Sequence, residues 1–222
     1  MKRWVVPGGF HDVMLLSFDL LFQDGALLAG DLQMLPHFDE HAGAAAAANE
    51  VRTAFLELAS RRFLSQCDAS PLIRYAVERF ADQEAEWLDD QVLFEVLQKD
   101  LGECDWRKWP DELSKRKPEA LDEALVSLAT EIEERKALHY LLNRQVARLF
   151  AQAQVSGVEI LGLPACSAVR DWIGTAPAAI ELPSDCVRAE TLFERQVHAG
   201  SDWRFTWPEV TAEVLKRLFR ED

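Results

Sequence analysis

The sequence predicts a mainly α-helical fold, long helices forming an irregular bundle with a minor β component at residues 13–34 and 158–182. Three observations predict it. The 222 residues are 49% hydrophobic and 28% charged, with 7 Trp and 12 Phe, which is enough apolar mass for a real core. From Pro36 for about 120 residues, apolar positions recur every three or four. Outside that region, short apolar runs are punctuated by Gly and Pro, as strands and turns are. One domain is expected, with a β-like segment at 1–35, a helical core at 36–156 and a mixed segment at 157–222.

The runs Val13–Phe22 and Ala26–Met34 flank Gln23-Asp24-Gly25, and Asp-Gly between two apolar runs signals a hairpin. Beyond Gly43, Ala44, Ala48, Val51, Phe55 and Leu58 share one helical face, and Arg61-Arg62 suit a helix C-terminus. Ser70-Pro71 then opens a second helical region, carried by Leu72, Tyr75, Phe80, Trp87, Val92 and Leu97 up to Gly102. It reads as one helix, or as two joined near Asp89-Asp90. A polar connector at 103–117 holds Trp106 and Trp109. Pro118 begins the longest stretch, to Val155, whose seam of Leu121, Leu125, Leu128 and Ile132 is interrupted at residues 133–136 before resuming at Leu138. Val158–Leu163 and Ala178–Leu182 read as short strands, Ala165–Ile173 as a short helix, and Pro208–Arg220 as a last helix.

Charge and cysteine content narrow the function. With 24 basic and 38 acidic residues the net charge is −14, which repels nucleic-acid phosphates and anionic lipid, and no local basic patch offsets it. Direct nucleic-acid binding and membrane attachment are therefore not expected. Cys67, Cys104, Cys166 and Cys186 form no C-x-x-C pair, the N-terminal stretch lacks the pattern of a secretory leader, and the thiols read as reduced in a cytoplasmic protein. No G-x-S-x-G, P-loop or G-x-G-x-x-G occurs.

His37-Phe38-Asp39-Glu40-His41 resembles the H-x-x-E-H motif of inverted zinc hydrolases. On a helix, His37 and His41 lie one turn apart and would hold zinc, while Glu40 would activate water. The resemblance covers five residues and supplies no third ligand. The plainer reading makes them the polar lead-in to an amphipathic helix. His11-Asp12 lacks the upstream histidine that a metal phosphohydrolase would need, and His139 reads as a core-edge histidine.

The charge layout carries the favoured reading. Residues 78–100 hold a dense run of acids, among them Glu84, Glu86, Asp89 and Asp90, against Arg79 and Lys99. Trp106, Trp109, Trp203 and Trp207 sit in connectors near arginines, as interface anchors do, although tryptophans pinning loops onto a helical core would look the same. The expected function is a non-enzymatic cytoplasmic interaction protein, a subunit, adaptor or assembly chaperone, with no cofactor and a protein partner presenting a basic surface. The alternative is the zinc-dependent hydrolase, with zinc as its metal. An acidic nucleic-acid mimic is third. The reading leans away from an enzyme.

Overall fold

The computed structural model describes residues 2–6, 12–35, 44–155, 158–162, 168–174 and 186–188. Helices dominate them, arranged around one central helix.

The expected hairpin is instead two short helices. Asp12 accepts from the Met14 amide at 2.8 Å to open a 3-10 turn at Val13–Leu15, and the Ser17 hydroxyl accepts from the Leu20 amide at 3.3 Å to cap α1 (Phe18–Gln23). Asp24-Gly25 ends α1 rather than turning a hairpin. Gly25 has φ +74°, and the Ala26 amide returns to the Leu21 carbonyl at 2.8 Å. α2 (Ala29–Gln33) follows. The physical reason is burial at uneven spacing. Leu16, Phe18, Leu21, Ala26 and Leu27 all point into the core, whereas a strand would bury alternate residues.

α3 (Ala44–Ala69) runs past Arg61-Arg62, whose side chains reach Glu134 and Asp31, and stops only where Pro71 can no longer continue it. Its inward face is Leu56, Ala59, Phe63 and Cys67, at spacings of three and four. α4 (Pro71–Gln83) starts with proline in its first turn. The break before α5 (Ala85–Leu101) falls at Glu84, five residues earlier than the Asp89-Asp90 junction, because Asp89 and Asp90 are each engaged by a cation and sit comfortably in the helix. Gly102, at φ +63°, closes α5.

In the connector, Asp105 caps a 3-10 turn at Trp106–Lys108, and α6 (Asp111–Ser114) leads to α7 (Pro118–Ser127). The interruption expected at 133–136 lies at Leu128, whose φ −109° and ψ 22° separate α7 from α8 (Ala129–Val155). Residues 133–136 stay helical because Glu133, Glu134, Arg135 and Lys136 each pair with a charge on another helix.

α8, 27 residues and about 40 Å long, packs against α3, α4, α5 and α7 and then feeds β2 (Val158–Gly162). β2 pairs in parallel with β1 (Lys2–Val6), Lys2 opposite Val158 and Val6 opposite Gly162. β3 (Cys186–Arg188) pairs in parallel on the other edge of β1. Thus the helical mass is the crossover between two neighbouring parallel strands. α9 (Ala168–Ile173) follows β2.

Among the described residues, three apolar clusters hold the helices. Leu16, Phe18, Leu21 and Leu27 pack with Leu56, Phe63, Leu138 and Leu141; Leu93, Phe94 and Leu97 pack with Trp109, Val169 and Trp172; Phe80 packs with Leu88, Val92 and Val96. Each fully buried side chain of this size contributes about 1.5–3 kcal/mol of transfer free energy. Among the described residues, no helix is long and apolar enough to cross a membrane.

Candidate functional site

The densest arrangement of buried polar groups lies between α5 and α8. Gln91 and Glu95 share a face of α5, and Arg135 and His139 share a face of α8, each pair one turn apart. Glu95 Oε1 accepts from Gln91 Nε2 at 2.6 Å, while Oε2 faces His139 Nε2 at 3.1 Å and Arg135 Nε at 3.4 Å. The Trp87 ring stands edge-on to the imidazole at 5.7 Å, and its Nε1 donates to Glu84 at 2.5 Å. His139 Nδ1 is enclosed, with no partner among the described residues. Burial pushes the Glu95 carboxyl upward, but the His139 bond and charge, the Arg135 charge and the Gln91 bond outweigh it and bring it below its ordinary range.

A second cluster fastens residues 12–35. The Ser17 amide donates to Gln145 Oε1 at 2.7 Å and Gln145 Nε2 returns to the Ser17 carbonyl at 3.2 Å. Arg52 Nε donates to the Met14 carbonyl at 2.7 Å and Nη2 to that of Leu16, with the guanidinium 4.8 Å from the Phe18 ring. Burial lowers the Arg52 pKa to about 10, against the opposing charge of Asp12. The buried Asp24 carboxylate takes Arg144 at 3.1 Å and Arg148 at 2.6 Å. Asp31 is held below its ordinary range, first by its bond from Arg62.

These arrangements are chemically quiet. General acid catalysis by a carboxyl group is favoured where its pKa is displaced upward, whereas Asp31, Glu95, Asp111 and Glu112 are displaced downward. No grouping of three or more His, Cys, Asp or Glu among the described residues is arranged to hold a metal ion.

The residues singled out by sequence fare unevenly. His37, Glu40, His41, Trp203 and Trp207 lie outside the described residues. Trp109 is 4% exposed, packed on Phe94 and Trp172 with Nε1 donating to the Glu103 carbonyl at 2.8 Å. It is a core anchor and is corrected from an exposed hot spot, because its ring completes the cluster that seats α9. Trp106 is half-buried beneath the Arg107 guanidinium at 4.7 Å. Of the acids, Glu86 is exposed, Glu84 accepts from Trp87, Asp89 pairs with Lys136 at 2.5 Å and Asp90 with Arg116 at 2.6 Å. Three of the four are thus answered within the chain. Sequence reasoning passed over Glu95 and Gln145, and the signal that could have found Glu95 was the pair of i,i+4 spacings, Gln91/Glu95 and Arg135/His139.

Comparison with known proteins supplies what the geometry alone does not. Residues 10–167 match glycoside hydrolase family 77, described as 4-alpha-glucanotransferase. The chain is 39% identical over 94 residues to a 4-alpha-glucanotransferase of Thermus thermophilus, covering 42% of this chain and 19% of the relative. It is 26% identical over 151 residues to the chloroplastic/amyloplastic 4-alpha-glucanotransferase DPE1 of Oryza sativa subsp. japonica, covering 68% of this chain and 25% of the relative. The chain therefore matches 19% to 25% of the length of these relatives. In structure it resembles the amylomaltase of Streptococcus agalactiae solved with acarbose, at a TM-score of 0.64 and 23% identity, over 83% of this chain and 40% of that one. The likeness is one of fold.

The family match covers well over half of the chain, and the structural likeness shows the same fold in part of an amylomaltase. The chain belongs to glycoside hydrolase family 77. Two expectations are corrected by this. The non-enzymatic adaptor, subunit or chaperone, with its lean away from an enzyme, is overturned, and neither the zinc hydrolase nor the nucleic-acid mimic is supported. The 4-alpha-glucanotransferases of this family need no cofactor, which agrees with the expectation of none.

Proposed function

We propose that the protein carrying this chain transfers α-1,4-linked glucan segments from one 4-α-glucan to another, and that residues 12–35 and 44–155 form the helical support beside the site of transfer. The observation that carries this reading is the family match across residues 10–167, with the fold likeness to an amylomaltase as support. A donor bond and a product bond that are both α-1,4 require retained configuration. That is met by two successive displacements, one carboxyl group as nucleophile and a second, displaced upward, as acid and then base, with a glucan hydroxyl replacing water in the second step. Asp24, Asp89, Asp90 and Glu95 are engaged by cations within the helical mass, and this reading places the reacting pair elsewhere. Ligands of parallel sheets meet the carboxyl ends of the strands. The sugar-facing end is accordingly assigned to the side where β1 ends at Val6, β2 at Gly162 and β3 at Arg188.

The test is incubation of the full-length protein with maltotriose and chromatography of the products. Longer and shorter α-1,4 oligosaccharides without net gain of reducing ends support the proposal, and an unchanged sugar pool refutes it. We also place the protein in the cytoplasm, on the support of the free thiols of Cys67 and Cys104. Alkylation of exposed Cys104 in intact cells would agree, and a Cys104 blocked by oxidation would not.

A further inference from the structure

We propose that Glu95, His139 and Arg135 form an acid-operated joint between α5 and α8. One carboxylate balances the seam, taking bonds from Gln91 on its own helix and facing the imidazole at 3.1 Å and the guanidinium at 3.4 Å across it. The His139 side chain is 1% exposed, so a proton added there is enclosed.

Acid removes the charge of Glu95. The enclosed seam then keeps the Arg135 guanidinium and the His139 ring with no carboxylate between them, and His139 Nδ1 has no partner among the described residues. Most of the other charged groups facing α8 are committed, Asp24 at the end of α1 to Arg144 and Arg148. On α5, Asp89 is taken by Lys136 and Asp90 by Arg116. On α3, Arg61 faces Glu134 at 4.0 Å and Glu57 holds Lys99 at 2.6 Å; on α4, Arg74 reaches Glu133 at 3.7 Å. On α7, Glu119, Asp122 and Glu123 are exposed. None of these is placed to relieve the pair, so α5 parts from α8 ahead of the rest of the fold.

Amide hydrogen exchange on the full chain from neutral to acid pH, corrected for intrinsic rates, reads this out helix by helix. Residues 85–101 should exchange at least about tenfold faster relative to α3 once Glu95 is discharged. Glu95→Gln should show the same relative loss already at neutral pH. His139→Gln, which keeps a donor but carries no proton-dependent charge, should move the opening to lower pH. The joint is overturned if α5 and α3 lose protection together at every pH, or if Glu95→Gln exchanges like the parent at neutral pH. If Glu95→Gln does not fold, an opening pH unchanged by His139→Gln overturns it.

Discussion

At the scale of single residues, buried polar side chains do the work of fixing backbone that no regular pairing holds. Gln145 satisfies both the amide and the carbonyl of Ser17 from the far side of the sequence, and each is buried. Gln145→Leu removes both bonds while the Ser17 carbonyl keeps its bond from the Leu21 amide at 2.9 Å, and the expected loss is about 1–3 kcal/mol, measured as a lower denaturant midpoint at unchanged slope. Glu95 gives the pH dependence its sign. Its carboxyl is below its ordinary range in the fold, so the stability it contributes is present in full above the unfolded value of about 4.3 and is lost as pH falls through the folded value. Thermal unfolding from pH 7 to pH 3 should show this loss, and Glu95→Gln should flatten the profile at the acid end.

At the scale of elements, the helical periodicity of α3, α4, α5 and α8 was legible because each buries a stripe of three- and four-residue spacing. The N-terminal segment was not. Asp24-Gly25 is equally good chemistry for a hairpin and for a left-handed helix end, and only the burial of Leu16, Phe18, Leu21 and Leu27 on helix α3 and α8 decides between them. Helix junctions were displaced for a related reason. Charge runs at 89–90 and 133–136 look like interruptions until their partners on neighbouring helices are known, whereas the real breaks, at Glu84 and Leu128, carry no distinctive letter. Gly25→Ala tests the N-terminal assignment. At φ +74°, with Gln66 Nε2 3.1 Å from the added Cβ, the substitution should cost about 1–2 kcal/mol in a melting experiment. Trp172→Ala should cost about 3–5 kcal/mol, since the ring packs on Phe94 and Trp109, lies under Arg116 at 4.2 Å and donates to the Leu113 carbonyl.

At the scale of the whole molecule, the acidic surface proved a poor guide. A net charge of −14 suggested a docking face, yet Asp89, Asp90 and Glu95 of the acid run on α5 pair with cations of α8 and the connector. The family likeness was not legible in the sequence taken alone, because it is spread thinly over residues 10–167 and contains no compact catalytic motif among the positions that drew notice. The described residues among them build a helical crossover in which Asp24, Asp89, Asp90 and Glu95 are paired with cations. Under the proposed function this scaffold is part of a glucan-transferring enzyme and leaves the reacting pair to other residues. Chain-length analysis of maltotriose incubated with the full-length protein, and with its Glu95→Gln variant at a temperature where both are folded, tests that claim most directly. Redistribution into longer and shorter α-1,4 glucans, with the variant retaining most of the parent rate, is the predicted result. An unchanged sugar pool with the folded parent protein, or transfer abolished by Glu95→Gln in a protein that remains folded, would contradict it.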